Sequence, residues 1–189
     1  FWLSETPDTV SIGWDAALPR ICSWGWFLHN ESGQKFMFFN LHMDHIGKLA
    51  RLNSASLVRE RIDRLANGRK AFVTGDFNVD QRSASYAALT TDSILRDCYE
   101  VADLRYAPNG TFNDYSTSGF TPSRIDHVFV TSGIRVDSYG VLTDTYRTPN
   151  PDTKPRTTAE APDEVEIIES VSRTPSDHFP VAVRVALLP

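Results

Sequence analysis

Two apolar runs near the start of the chain predict a β-hairpin. The runs Ile21–Leu28 and Lys35–Leu41 flank Asn30–Gln34, a polar connection that contains Gly33 and has the length of a hairpin turn. Strand-sized apolar runs joined in this way are typical of two neighbouring antiparallel strands. We therefore expect a hairpin between Ile21 and Leu41.

One segment has the periodicity of an amphipathic helix. Between Gly47 and Ala66, apolar residues recur at roughly helical intervals among Arg, Lys and Glu. Asn67-Gly68 follows, and such residues commonly end a helix because they adopt left-handed backbone angles easily. The apolar positions of this predicted helix are Leu49, Leu52, Leu57, Val58, Ile62 and Leu65.

Four further apolar runs have the length of strands. Ala71–Thr74 leads into Gly75-Asp76, as expected of a buried central strand whose last residues reach the edge of a sheet. The other three runs lie in the second half of the chain, and a Ser132-Gly133 turn separates the first two. They are Ile125–Thr131, Ile134–Leu142 and Phe179–Leu188.

The segments between these runs are less regular. Ser83–Leu89 favours a short helix, whereas Asp92–Leu104 fits a helix or a strand equally well. Asp144–Asp163 is rich in proline, threonine and charge, which is typical of a mobile surface loop or flap. No repeat or compositional boundary divides the chain, so we expect a single domain over residues 1–189 with an α/β (α+β) sandwich fold.

Composition and charge narrow the function classes. A chain of 189 residues with 41% hydrophobic content can bury one substantial core. Its longest apolar runs are strand-sized, so we expect no membrane insertion. The chain has 19 Lys and Arg against 24 Asp and Glu, and its formal net charge of −5 disfavours long duplex DNA as a partner. An anionic substrate would need a bound cation.

The cysteines leave two alternatives open. Cys22 and Cys98 lie far apart in the sequence and lack the spacing of a metal site. They are compatible with two buried thiols or with one disulfide. Neither alternative determines the compartment, and a secreted or periplasmic location stays open.

Polar residues that could do chemistry follow or precede the predicted strands. Strand ends hold such groups rigidly and aim them into a shared cleft. Four short segments have this placement: Asn40–His42, Gly75–Asn78, Arg124–His127 and Ser176–His178.

The side chains of these four segments match the needs of phosphoester hydrolysis. That reaction needs carboxylates for a hard cation, a group that orients water, donors for phosphoryl oxygens and help for the leaving oxygen. Asp76 and Asp177 are candidates for water orientation and metal binding. Asn78 and His42 could contact phosphoryl oxygens. His178 could transfer a proton, with Asp126 holding its imidazole in one tautomer.

Each motif alone also has a structural interpretation. Gly75–Asn78 could be only a turn, and Ser176–His178 could be a turn with a surface histidine. His42 and His45 invite a zinc site, but no third ligand of matching pattern lies nearby. A Ser-His-Asp hydrolase is disfavoured because the sequence has no Gly-x-Ser-x-Gly motif.

Taken together and in order, the motifs resemble the signatures of the endonuclease/exonuclease/phosphatase superfamily, which has a DNase I-like fold. The resemblance extends from about Ile21 to Val183. The opening segment Phe1–Pro7 is similar to the branch that contains bacterial secreted-type hydrolases and the nocturnin and deadenylase relatives. The motifs that carry the resemblance are Asn40–Asp44, Thr74–Asn78, Arg124–Val130 and Ser176–Val181.

This resemblance implies a fold, a cofactor and residue roles. The fold would be a four-layer α/β sandwich with two mostly antiparallel sheets face to face, and the cofactor would be Mg²⁺ or Mn²⁺. Asp76 would activate the attacking water, Asn78 would bind the phosphoryl group, and His42 would stabilise the transition state. Asp177 would assist metal binding. His178 paired with Asp126 would complete the centre.

Two features of the superfamily are not found in this sequence. They are the first strand, which carries an Asn, and the following segment, which carries the Glu that is the principal metal ligand. We expect both to precede Phe1, so that the chain comprises about the C-terminal two-thirds of the fold. Glu5 follows a different kind of segment and does not replace that Glu. The incomplete sheet would expose an unpaired edge that a second chain could fill.

The substrate is the least defined part. Arg20 could contact a phosphate, and Asn113 lies in an aromatic segment that could line the cleft. The charge balance permits nucleotides, short single-stranded nucleic acid, sugar phosphates or lipid headgroups. A phosphoester hydrolase is the leading hypothesis. A non-catalytic phosphate- or nucleotide-binding module on the same fold is the alternative.

Overall fold

The computed structural model describes residues 1–189, and its ordered elements alternate between strands and helices. The first half of the chain contains β1 (Cys22–Leu28), β2 (Lys35–His42), α1 (Lys48–Ala66), β3 (Ala71–Asp76), α2 (Ala84–Thr90), a 3₁₀ turn (Thr91–Ser93), β4 (Arg96–Asp97) and α3 (Cys98–Val101). The second half contains β5 (Leu104–Tyr106), β6 (Asp126–Val130), β7 (Ile134–Val141), β8 (Tyr146–Pro149), β9 (Ser170–Arg173) and β10 (Val181–Leu187).

The larger sheet has five strands in the order β1-β2-β3-β6-β4. Strands β2 and β3 run parallel, and the other neighbours are antiparallel. The predicted hairpin is confirmed as β1 and β2, which pair from Cys22↔Leu41 to Leu28↔Lys35. Alternate residues of β2 (Met37, Phe39 and Leu41) are buried on one face, as the two-residue period of a strand requires.

Helix α1 covers the outer face of this sheet. Its residues Val58 and Ile62 are fully buried in one core with the alternate residues of β2. The Asp15 carboxylate accepts hydrogen bonds from the first-turn amides of Leu49 and Ala50, at 3.2 and 2.6 Å. Asn67 ends the helix in a left-handed conformation, as predicted.

The smaller sheet packs against the opposite face of the larger one. It has the order β10-β7-β5, with β10 antiparallel and β5 parallel to β7. Phe72 of β3 and Val130 of β6 share a second core with Val136, Tyr139 and Val141 of β7. The structure thus confirms the predicted α/β sandwich, in which two sheets lie face to face; the larger sheet is mostly antiparallel, and the smaller has one antiparallel and one parallel pairing.

The strands predicted on either side of Ser132-Gly133 are confirmed as β6 and β7; they lie in different sheets, so this turn passes between the layers. One prediction about local order needs correction. The segment Asp144–Asp163 is not all loop, because it contains β8, which pairs with β9. Tyr146 and Thr148 have the β-propensity that this pairing uses. The segment left open, Asp92–Leu104, holds the 3₁₀ turn, β4, α3 and the start of β5.

Three other expectations concern the whole chain. Cys22 and Cys98 are free, buried thiols that lie in separate cores. No helix combines the length and apolar character needed to cross a membrane. Strands β1 and β10 are outer strands, and apart from Cys22, which bonds to Phe1, the outer side of β1 pairs with no other segment, so both sheets have an unpaired edge.

Candidate active site

Sheet register brings three of the candidate residues side by side. His42 ends β2, Asp76 ends β3, and Asp126 begins β6. His42 pairs with Asp76 across the parallel strands, and Asp76 pairs with Asp126 across the antiparallel strands. Because the three positions lie at the same end of the larger sheet, where β2 and β3 end and β6 begins, their side chains converge without help from a flexible loop.

His178 joins this group from the loop before β10. A β-bridge connects His178 to Phe112, and the Phe179 amide donates to the Thr111 carbonyl at 2.7 Å. The buried Thr111 hydroxyl accepts hydrogen bonds from the amides of Ile125 and Asp126, at 2.9 and 3.0 Å. Thr111 therefore anchors the segments that carry Asp126 and His178. This role could not be predicted from the sequence, since a single Thr in a loop carries no periodic signal.

Direct contacts connect the two histidines to the carboxylates. His178 Nδ1 lies 2.8 Å from Asp126 Oδ2, and a carboxylate can only accept, so Nδ1 carries the proton of this bond. Asp76 Oδ2 lies 3.3 Å from His42 Nε2 and 3.9 Å from His178 Nε2. Asp126 thus turns the Nε2 of His178 toward Asp76, as the resemblance implied.

The pKa values of three members of the group are shifted in different directions. Desolvation lowers the pKa of His178, but the hydrogen bond and the charge of Asp126 outweigh it, so the pKa lies above the usual value. Desolvation, with repulsion from Asp126, raises the pKa of Asp76. Desolvation also lowers the pKa of His42. The site therefore combines a carboxylate of increased basicity with one imidazole that favours its cation and one that disfavours it.

The Gly75–Asn78 motif comprises the end of β3 and the first two residues after it. A Cβ at Gly75 would lie 1.9 Å from the Leu41 carbonyl oxygen, and the φ of Gly75 is +147°. The close packing of β2 against β3 thus excludes any residue with a side chain from position 75. Asn78 is left-handed, and its amide N–H donates to Asp76 Oδ1 at 2.8 Å. Its side-chain Nδ2 donates to Met43 O at 3.1 Å and to Asp76 Oδ2 at 3.3 Å.

These bonds bear on the predicted role of Asn78. Both hydrogens of Nδ2 already have acceptors, so Asn78 orients Asp76 in this structure. A contact between Asn78 and a phosphoryl group would require the bond to Asp76 to be exchanged. That contact stays a prediction.

Arg20 lies at the rim, where its charge contributes to the lowered pKa of His42. Its Nη2 contacts His45 Nδ1 at 3.2 Å, and its Nε lies 3.7 Å from Asp44 Oδ2. Desolvation opposes the charge on Asp44, but four backbone amides donate to its carboxylate and lower its pKa to about 2. Asp44 is a second residue that the sequence analysis did not single out for positioning. His45 faces a guanidinium, which disfavours zinc binding there.

The other candidates lie beside the group. The Asp177 carbonyl accepts from the amides of Asn113 and Asp114, at 2.7 and 3.2 Å, and its carboxylate accepts from Ser176 Oγ. Ser176 Oγ also accepts from the His178 amide, so this serine shapes a turn. Asn113 is buried. The Glu5 carboxylate accepts from the Trp14 amide, away from the group.

A cation could bind where the carboxylates meet. One ligand atom each of Asp76, Asp126 and His178 lies within 4.8 Å of the others. His178 Nδ1 is bonded to Asp126, so the two carboxylates are the better ligands for a hard cation. Desolvation raises the pKa of Asp76 and repulsion from Asp126 adds to the rise, so a cation bound between the two carboxylates would offset both effects. Asp177 lies outside this set, and its metal role stays a prediction.

Comparison with known proteins identifies close relatives. A mannosyl-6-phosphatase from Bacteroides thetaiotaomicron is 52% identical with a TM-score of 0.87, and the match covers 98% of this chain and 64% of that one. An endonuclease/exonuclease/phosphatase family protein from the same organism is 52% identical with a TM-score of 0.86, covering 98% and 62%. An uncharacterized protein of Acanthamoeba polyphaga mimivirus is 39% identical over 85 residues, which is 43% of this chain and 31% of that protein.

The chain thus spans less than two-thirds of the length of these Bacteroides proteins. The family model described as Endonuclease/Exonuclease/phosphatase family matches residues 35–178, a range that begins with β2 and ends on His178. Because this range holds His42, Asp76, Asp126 and His178, and because the whole fold superposes on the relatives, the chain belongs to the endonuclease/exonuclease/phosphatase family.

Proposed function

We propose that this protein hydrolyses phosphoester bonds with the help of a divalent cation, and that its substrate is a phosphomonoester of a sugar. The observation that carries the proposal is the convergence of four side chains at the end of the larger sheet where β2 and β3 end: His42, Asp76, Asp126 and His178. Identity of 52% to a mannosyl-6-phosphatase supports the choice of a sugar phosphate among the candidate phosphoesters.

The carboxylate of Asp76 is suited to orient water and accept its proton. Its raised pKa makes it a better base than an exposed aspartate, and Asn78 holds it in place with two hydrogen bonds. His42 and Arg20 provide donors and positive charge on the β2 side of Asp76, where charge on phosphoryl oxygens would be stabilised.

His178 is suited to assist the leaving oxygen. Asp126 fixes its tautomer and stabilises its cation, so Nε2 can donate a proton toward the space beside Asp76. Phe112 packs edge-on against the imidazole, with ring centroids 5.2 Å apart, and limits its rotation. Asp76 would thus act as the base and His178 as the acid at the same centre.

Asp76 and Asp126 would hold the cation, with Asp177 as a further ligand. Mg²⁺ commonly uses one or two protein carboxylates and keeps several waters, which fits this donor set, and Mn²⁺ accepts the same ligands. When bound, the cation would neutralise phosphoryl charge and lower the pKa of coordinated water.

Phosphate release from mannose 6-phosphate tests the proposal. The 189-residue chain and any longer native polypeptide that contains it would be assayed with Mg²⁺, with Mn²⁺ and after chelation. We expect activity that requires the cation and falls by about 10² to 10⁴-fold in Asp76→Asn and in His178→Ala. His29→Ala, an exposed histidine after β1, is the matched control and should retain activity.

Two outcomes would reject the enzyme. Full turnover in both Asp76→Asn and His178→Ala would show that the reaction occurs elsewhere. Binding of the sugar phosphate without turnover, and without dependence on the cation, would instead support the phosphate-binding module.

A further inference from the structure

A cavity of about 290 Å³ lies next to the proposed reaction centre. Phe112 and Ile125 are among its walls, and both adjoin the centre directly. Phe112 packs against the His178 imidazole, while Ile125 immediately precedes Asp126. A group attached to a phosphate at Asp76 and His178 would therefore lie at the mouth of this cavity.

The loop that forms the cavity is cross-linked by hydrogen bonds. The amide of Gly110 donates to Thr121 O at 2.6 Å, and the amide of Thr111 donates to Ser123 O at 3.2 Å. The Asn109 side chain donates to Gly119 O and accepts from the Thr121 amide, at 2.8 and 3.0 Å. These bonds hold the two limbs of the loop together, so the cavity is formed before any ligand binds.

Asn113 lines this cavity and has a side chain that the fold does not use. The residue is 5% exposed, and neither Oδ1 nor Nδ2 of its amide has a hydrogen-bond partner. Buried amides are nearly always paired, because an unpaired one loses its bonds to water without compensation. The backbone of Asn113 already anchors the loop through Asp177 O, so the side chain is free to serve another purpose.

The other walls define the chemistry of the ligand. Phe112 is 40% and Phe120 is 73% exposed, so two aromatic faces are available for the apolar C–H surface of a ring. Thr121 and Ser123 add polar groups at the rim. The volume is at the lower end of the range for small-molecule sites and suits a single ring.

We propose that this cavity is the leaving-group subsite and takes the sugar ring of the phosphomonoester, and that the Asn113 side chain, whose amide atoms are closed to solvent in the free protein, turns to bond ring hydroxyls. The proposal rests on the proposed function for the position of the phosphate. The binding of the ring itself rests on the cavity alone. Asn113 is therefore a specificity-determining residue, since it contacts the leaving group and not the phosphoryl group.

Kinetics with two substrates test this role. Mannose 6-phosphate carries the ring hydroxyls, whereas p-nitrophenyl phosphate offers the same phosphoryl group without them. We expect Asn113→Ala to reduce kcat/KM for mannose 6-phosphate at least about tenfold more than for p-nitrophenyl phosphate. Phe120→Ala should raise the KM for mannose 6-phosphate, and Phe120→Tyr should keep it near the value of the unmodified protein. Asn30→Ala, in the β1–β2 turn, is the matched control for both substrates.

Thermal unfolding separates recognition from structure. A structural Asn113 would lower Tm when replaced by alanine. Because its amide is unpaired in the free protein, we expect Tm in Asn113→Ala to be unchanged or raised by about 2–4 °C. A fall in Tm together with equal losses for both substrates would overturn the proposal.

Saturation-transfer NMR with free mannose gives a readout that needs no catalysis. We expect transfer to the ring protons with the unmodified protein and its loss in Asn113→Ala. If mannose 6-phosphate is hydrolysed and Asn113→Ala changes neither selectivity nor transfer, the subsite is refuted while the function stands. If transfer depends on Asn113 but no phosphoester is hydrolysed, the subsite stands and the function fails. Asn113-dependent binding of adenosine monophosphate, without binding of mannose, would refute a sugar subsite.

Discussion

Replacing Thr111 by valine should disconnect the loop that holds the site from the sheet that carries it. The Thr111 hydroxyl is fully buried and accepts from two successive amides, those of Ile125 and Asp126. Valine has nearly the same shape, so the substitution leaves no cavity. It removes the acceptor of both amides and places a methyl group 2.9–3.0 Å from their nitrogens, which is closer than carbon and nitrogen pack.

The magnitude follows from the two lost bonds. A buried donor that loses its acceptor costs about 1–3 kcal/mol, so two of them should lower the free energy of unfolding by about 2–6 kcal/mol. For a chain of this length that corresponds to a fall in Tm of about 4–24 °C. Asp126 would also lose the bond that fixes its backbone, and activity that depends on His178 should decrease with it. Thermal unfolding followed by circular dichroism measures the first effect on the 189-residue chain.

Thr111→Ser provides the control. Serine keeps the hydroxyl and loses one methyl group, which should cost about 1 kcal/mol, or about 2–4 °C in Tm. The order of stability should therefore be wild type, serine, valine. Equal stability of the two variants, or a valine variant as stable as wild type, would show that the hydroxyl does not hold the amides in solution.

Three further predictions concern the pKa of His178, the packing at Gly75 and the edge strand β1. His178 has a raised pKa, so the stability it contributes is present below its unfolded value of about 6.5 and is lost as the pH rises through the folded pKa. In Asp126→Asn, NMR titration should show a lower pKa for His178. An unchanged pKa would contradict the pairing of His178 with Asp126. Gly75→Ala should destabilise far more than Gly68→Ala in thermal unfolding, because a Cβ at Gly75 meets the Leu41 carbonyl while one at Gly68 meets nothing within 4 Å; equal losses would refute the packing argument. The unpaired edge strand β1 exposes Trp24 and Trp26, so the chain should self-associate as its concentration rises, and Trp26→Lys should reduce this in sedimentation velocity; a concentration-independent monomer would reject this prediction.

The sequence predicted that these polar side chains would come together because they lie where strands end. The apolar run Ala71–Thr74 is buried on both faces, so its pattern identifies a central strand and places Asp76 at its end. Once β2, β3 and β6 pair, register alone aligns His42, Asp76 and Asp126. Local pattern therefore determines this part of the site, and no long loop has to be predicted to find it.

Other parts depend on contacts between distant residues and could not be predicted. The β6 and β7 runs look alike in sequence, yet they lie in different sheets because partners far along the chain, β3 and β10, compete for them. Strand β8 finds its partner in β9 across a proline-rich segment that masks the pairing. The roles of Thr111 and Asp44 depend on backbone amides that other segments present.

This division would separate chemistry from specificity in the proposed enzyme. The proposed reacting groups lie at or beside strand ends, where a change of one residue disturbs register and core packing, as the contact of Gly75 with Leu41 illustrates. The proposed leaving-group cavity is built by a loop whose limbs are held by their own hydrogen bonds, and the side-chain amide of Asn113 has no hydrogen-bond partner in the fold. Substitutions at Asn113 or Phe120 can therefore change which phosphoester fits while leaving β2, β3 and β6 in place. It follows that exchanging residues 109–123 between relatives should transfer substrate preference. Exchanging residues Gly75–Asn78 should not transfer it.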